Sequence, residues 1–160
     1  MTRDPDDILN WRRVDRRVTL SGQPTAEQFR RIRDLGVTQV INLAPHDSPD
    51  ALAGEPDTVA GLGMGYTYIP VNFDAPTDAD FNRFCTAMAE HARSVVHVHC
   101  IYNARVSAFM LRYALSGLGG DIGPARALMD SIWRPGGVWA EFLGDTANCE
   151  LANRYAGHDY

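Results

Sequence analysis

Apolar residues recur along this chain in short runs that follow two alternating periods. Val18-Thr19-Leu20, Val37 to Leu43, Tyr66 to Val71 and Val95 to Val98 are rich in β-branched or aromatic residues, and they read as strands. Between them, Phe29, Ile32 and Leu35 keep helical spacing, as do Phe81, Phe84 and Met88. Thr25 followed three residues later by Gln28 is a capping-box signal for the first of these helices, and Gly36 stops it. Thr77, with Asp80 three residues on, caps the second. Ala104 to Leu115 has the pattern of a well-buried helix, and Gly117 with Gly119-Gly120 ends it. Pro124 opens a further helix through Met129 and Trp133, Pro135-Gly136-Gly137 breaks it, and a last helix is expected over Val138 to Tyr155. Residues 46–65 have loop composition, with one short helix expected near Ala51 to Ala60. Strands that alternate with helices predict an α/β fold in which a mostly parallel sheet is flanked by helices on both faces. The expected organisation is a polar lead-in over residues 1–17, where Ile8, Trp11 and Val14 fall at helical spacing, and a single domain over residues 18–160.

Composition narrows the class without naming a function. A chain of 160 residues, 45% hydrophobic and 22% charged, can build a globular core. The net charge of -5 and the lack of a basic run argue against a nucleic-acid partner. All 15 basic residues are Arg, which excludes Schiff-base chemistry on a lysine. No apolar run is long enough to cross a bilayer, so no membrane association is expected. The first twenty residues carry no apolar secretory core, and the 3 cysteines are odd in number and widely spaced. A cytoplasmic protein without disulfides is the expectation.

The chemistry concentrates at the end of the fourth strand, in His99-Cys100-Ile101-Tyr102-Asn103-Ala104-Arg105-Val106-Ser107. A cysteine between an apolar strand and a helix N-terminus meets backbone N–H groups and the positive end of the helix dipole, which favour thiolate. Arg105 adds a forked, permanent positive charge suited to an oxyanion. In open α/β sheets ligands bind beyond the C-terminal strand ends, where Cys100 falls. Each residue also has a plainer role open to it. Cys100 could be a core thiol, Arg105 a clamp on loop carbonyls, Ser107 a helix-start cap and Tyr102 a cover for the core. His97 and His99 share one strand face, but no fourth ligand stands at a recognisable spacing, so no metal is assigned.

Two stretches together resemble the bacterial cysteine-dependent tyrosine and dual-specificity phosphatases. One is Ser21-Gly22-Gln23-Pro24-Thr25 with Gly36 to Leu43; the other is Val98-His99-Cys100 with Arg105 and Ser107 beyond. The resemblance covers residues 18–118 and implies a phosphotyrosine protein phosphatase-like fold. It also implies a phosphomonoester hydrolase that forms a phosphocysteine, needs no cofactor and accepts phosphate, a phosphorylated protein or a small phosphomonoester. On that reading Cys100 is the nucleophile, the loop from Cys100 to Val106 cradles phosphate, Arg105 holds its oxygens, and His99 and Ser107 orient the loop. Asp74, between the third strand and the next helix, would be the acid; its plainer role is a solvated loop carboxylate. The match departs at one point. The resembled loop has five residues between Cys and Arg, whereas this chain has four, Ile101 to Ala104, and Val106 stands where that arginine would. Asn103 replaces the usual loop glycine and can adopt the left-handed conformation. A ring tightened by one residue, or an arginine turned aside, would weaken phosphatase catalysis. The four-residue spacing resembles that of rhodanese-like sulfurtransferases, which implies a Cys100 persulfide as an alternative. The third reading is an inactive scaffold that binds an anionic or phosphorylated partner.

Overall fold

In the computed structural model, which describes residues 3–155, the sheet is built around β5 (Val96–His99), a strand buried along its whole length. Its four residues, Val-His-Val-His, expose no side chain to water, as expected of a strand covered on both faces. Two strands flank it in parallel, β2 (Val18–Ser21) and β3 (Gln39–Asn42), in registers that set both Ser21 and Asn42 opposite His99. Beyond β3 lies β4 (Gly65–Tyr68), also parallel, and beyond β2 the short antiparallel β1 (Arg12–Arg13), giving the order β1-β2-β5-β3-β4. The C-terminal ends of the central strands therefore finish level with one another, and the residue that follows β5 is Cys100.

Two apolar clusters cover the sheet, and the two-residue period of the strands divides them. Ile41 and Val98 face the larger one, with Phe84, Phe109, Leu111, Trp133 and Trp139; Val40 faces the smaller one, with Phe29, Ile32 and Val59. The larger cluster packs under α3 (Asp78–Glu90), α4 (Ala104–Leu115) and α6 (Gly137–Phe142). The smaller lies under α1 (Ala26–Asp34) and α2 (Glu55–Gly61). The capping box of α1 forms as expected: Gln28 N–H donates to Thr25 Oγ1 at 3.1 Å and Thr25 N–H to Gln28 Oε1 at 2.9 Å. Thr77 Oγ1 likewise accepts from Asp80 N–H at 3.0 Å. α5 (Ile122–Asp130) then leads to β6 (Trp133–Arg134).

Five expected elements take a different form, among them the helix expected to run through Trp133, which ends at Asp130 and leaves Trp133 on β6. Ile8, Trp11 and Val14 lie on no helix. Ile8 is buried, Trp11 stacks on the His97 ring at 5.0 Å, and Arg12–Arg13 pair with β2, so sheet pairing and packing override the local spacing. The helix expected over residues 138–155 stops at Phe142, because Gly144 takes the left-handed φ of 74°. A 3₁₀ turn (Thr146–Asn148) and β7 (Arg154–Tyr155) follow, with β7 pairing antiparallel to β6. The short helix begins at Glu55 rather than Ala51, since left-handed Gly54 caps it and Pro56 fixes its first turn. The strand expected to reach Val71 ends at Tyr68, just ahead of Pro70.

Candidate functional site

The Cys100 loop is held by backbone and amide contacts from two directions. Cys100 N–H donates to Ser21 O at 3.3 Å, and Gln23 N–H to Ile101 O at 2.9 Å, tying the loop to the β2–α1 turn. A Cβ on Gly22 would stand 2.5 Å from Ile101 O, so the close approach of turn and loop requires glycine there. From the other side, Asn10 Nδ2 donates to Tyr102 O at 2.7 Å and Asn103 Nδ2 donates to Asn10 O at 2.9 Å. Asn103 adopts φ 74° and caps α4, the conformation the sequence made available to it. The N-terminal segment thus braces the loop it precedes by some ninety residues, which no local pattern indicates.

Each residue singled out in the sequence has a definite place. Cys100 lies at the strand end with 1% of its surface exposed. Ile101 is half-buried and borders an apolar hollow with Leu9, Pro24 and Leu52. Tyr102 meets the Tyr155 ring edge-on at 5.6 Å. Ala104 and Val106 pack into the larger core cluster. Ser107 Oγ donates to Ala104 O at 3.1 Å and accepts from Trp133 Nε1 at 3.1 Å, joining the first turn of α4 to the core. Arg105, second residue of α4, reaches across to the β4–α3 connection. Its Nη1 donates to Val71 O at 3.1 Å and its guanidinium carbon stands 5.5 Å from the Phe73 ring centre. It also borders a hollow of about 480 Å³ with Pro45, Asp47, Ser48 and Asn72. Asp74 is exposed and opens onto a different hollow, shared with Asp78, Arg112 and Glu141. Asp47, which carried no role in the sequence reading, is thus the carboxylate that shares a hollow with Arg105.

Behind the loop lies a buried polar chain. His99 Nε2 is 2.8 Å from Glu55 Oε2, and His99 Nδ1 is 3.0 Å from Cys100 O. Glu55, on the first turn of α2, also accepts from Gln23 Nε2 at 2.6 Å and from Tyr66 OH at 2.7 Å. Burial pushes the Glu55 carboxyl up, but hydrogen bonds from His99, Gln23 and Tyr66 outweigh it and hold the group below its ordinary range. Burial and the neighbouring Glu55 carboxylate drive Tyr66 well above its ordinary value. Glu55 escapes a sequence reading because it lies in a run of Asp, Gly and Pro, 44 residues from its histidine partner. The only local sign is Gly54-Glu55-Pro56, a helix start that pins the carboxylate to one position.

His97, two residues earlier on the same face, has a different character. Ser21 Oγ donates to Gly22 O at 2.7 Å, so it accepts from His97 Nε2, leaving Nδ1 to accept from Thr19 Oγ1 at 2.8 Å. Complete burial, with His99 nearby, holds His97 well below its ordinary value of 6.5. As pH falls below that value the unfolded chain takes up a proton that the folded chain refuses, so stability declines with acidification. Denaturant unfolding is expected to show a lower midpoint at about pH 5 than at about pH 7, with a flatter slope in His97→Gln. An equally steep slope in that variant would place the acid sensitivity elsewhere.

A parallel sheet that ends in a Cys-loop-Arg turn against a helix start defines a phosphotyrosine protein phosphatase-like fold, and comparison with known proteins agrees. No family model matches the chain. A candidate phosphatase of the DUF442 family from Shewanella putrefaciens CN-32 is 33% identical and superposes with a TM-score of 0.76, over 87% of this chain and 91% of that one. The chain belongs to that family. Pseudomonas aeruginosa TpbA, solved in complex with pTyr, shares the fold at 18% identity with a TM-score of 0.62, over 90% of this chain and 85% of that one. The beta-lactamase hydrolase-like protein of Agrobacterium fabrum is 32% identical over 109 residues, 66% of this chain and 25% of that protein. The chain therefore spans about a quarter of the length of the curated relatives it matches. Among the described residues, no helix is long and apolar enough to cross a membrane.

Proposed function

We propose that the Cys100 loop hydrolyses phosphomonoesters through a phosphocysteine. The observation that carries this reading is the placement of Cys100 at the C-terminal end of the central strand with Arg105 in the first turn of the following helix, in a chain of a candidate phosphatase family. The Cys100 thiolate attacks phosphorus, the S–P bond forms and the ester P–O bond breaks. Loop N–H groups and Arg105 carry the charge that builds on the phosphoryl oxygens. Asp74 gives its proton to the leaving oxygen. It then takes one from the water that attacks phosphorus, and the S–P bond breaks to return the thiolate. Inorganic phosphate is expected to slow alkylation of Cys100, and Arg105→Ala to abolish that protection. Equal alkylation with and without phosphate in the unaltered protein would overturn the oxyanion site.

The role of Asp74 has its own test, because Asp47 stands nearer the Arg105 hollow. An acid matters most when the leaving group is poor. Asp74→Asn is expected to lower kcat about a hundredfold on phenyl phosphate and only a few-fold on nitrophenyl phosphate, while Asp47→Asn leaves the ratio of the two unchanged. The reverse result would move the acid to Asp47.

One observation favours a second reading, sulfur transfer: four residues, not five, separate Cys100 from Arg105. In that reaction the Cys100 thiolate takes the outer sulfur of thiosulfate, sulfite leaves, and cyanide removes the sulfur as thiocyanate. A persulfide on Cys100 that cyanide releases would establish it. Absence of both that product and phosphate release would leave a binding scaffold.

A further inference from the structure

The strongest feature outside the loop is the buried pair behind it, Glu55 and His99, whose side chains are 1% and 0% exposed. A neutral imidazole has one N–H, yet both nitrogens of His99 face acceptors: the Glu55 carboxylate at 2.8 Å and the Cys100 carbonyl at 3.0 Å. Only the doubly protonated ring satisfies both. His97, equally buried, faces two hydroxyls and needs one N–H. The two histidines of one strand are thus distinguished by their partners.

The carboxylate is fixed in turn. Gln23 donates to one oxygen and Tyr66 to the other, while Tyr66 accepts from Asn42 Nδ2 at 3.0 Å and faces His46 Nε2 at 2.9 Å. The remaining groups against His99 are the Phe29 edge at 5.7 Å and the His97 ring at 6.4 Å. Among the described groups in these contacts, Glu55 is the one that carries negative charge to the His99 ring. Removing it would take away the acceptor at one nitrogen of His99, and with it the constraint that directs the other nitrogen to the Cys100 carbonyl.

We propose that Glu55 is a positioning residue for the nucleophile: its carboxylate keeps His99 a double donor, which clamps the Cys100 carbonyl and sets a positive ring behind the reactive thiol. The segment between β3 and β4, whose Asp47 and Ser48 border the Arg105 hollow, would then also govern Cys100 reactivity through the line Tyr66–Glu55–His99. The kinetic arm of this inference rests on the phosphatase reading; the alkylation arm does not.

The test is the rate at which iodoacetamide alkylates Cys100, read on its own proteolytic peptide so that Cys85 and Cys149 do not contribute. Glu55→Gln, with circular dichroism to establish folding, is expected to slow alkylation about tenfold, and in a His99→Gln background to add nothing further. Tyr66→Phe, which removes one donor to Glu55, is expected to slow it about two-fold to three-fold. Glu55→Asp is expected to recover part of the loss. Should Glu55→Gln fail to fold, Tyr66→Phe and Glu55→Asp decide the matter, and unaltered alkylation in both would overturn the inference. So would a folded Glu55→Gln protein that reacts at the unaltered rate, or an equal slowing in the His99→Gln background. If the unaltered protein hydrolyses aryl phosphates, Glu55→Gln should lower kcat about tenfold with KM within a factor of about two. If it does not, the phosphatase reading fails while alkylation still judges Glu55.

Discussion

Cys100→Ser is expected to reduce hydrolysis of a small aryl phosphate by at least about 10⁴-fold, to the rate seen without protein. The size follows from the step that is lost. With Ser in place of Cys, no thiolate is available and no S–P bond can form, while Arg105 and the loop amides remain to bind the anion. Affinity for phosphate is therefore expected to change less than about threefold, separating chemistry from binding. The measurement is a steady-state assay at high protein concentration beside a calorimetric titration with inorganic phosphate. Equal turnover by both proteins would show that Cys100 is a core thiol after all.

Trp139→Ala is expected to carry the largest cost to stability. Trp139 is fully buried, its ring packs against Phe73, Phe109, Trp133 and Phe142, and its Nε1 donates to Phe73 O at 2.7 Å. Truncating a buried tryptophan costs about 3–5 kcal/mol. For a chain of this size that is roughly ten degrees or more of melting temperature. The effect should extend to the site, because Phe73 and Val71 flank Arg105. Trp139→Phe, which retains much of the apolar volume and loses the hydrogen bond, is expected to recover most of the stability and less of the activity. Thermal unfolding with assays well below the transition separates the two contributions. A variant that melts within a few degrees of the unaltered protein would contradict the packing account.

The parts of the fold legible in the sequence are those whose signals are local. Val18 to Leu20, Val37 to Leu43 and Val96 to His99 declare themselves by β-branched runs between turn formers, and Thr25 with Gln28 declares a helix start through a contact three residues long. The place of Cys100 follows from the same local grammar, a strand then a turn then a helix. What stayed hidden depends on partners far apart. Glu55 acquires meaning only against His99, Asn10 only against Tyr102 and Asn103, and Trp11 only against His97. The β6–β7 pairing replaced an expected helix because two-residue strands carry no periodicity to read. Asp74 and Asp47 show the limit most clearly. The family resemblance singled out the first, while the hollow beside Arg105 is bordered by the second.

The central claim is that phosphorus becomes bonded to Cys100, and a rapid-quench experiment tests it directly. Protein mixed with an aryl phosphate and quenched in acid within milliseconds is expected to carry one phosphoryl group, located by peptide mass on Cys100 and absent in Cys100→Ser. Phosphate release that proceeds with no label on Cys100 at any time would contradict the account.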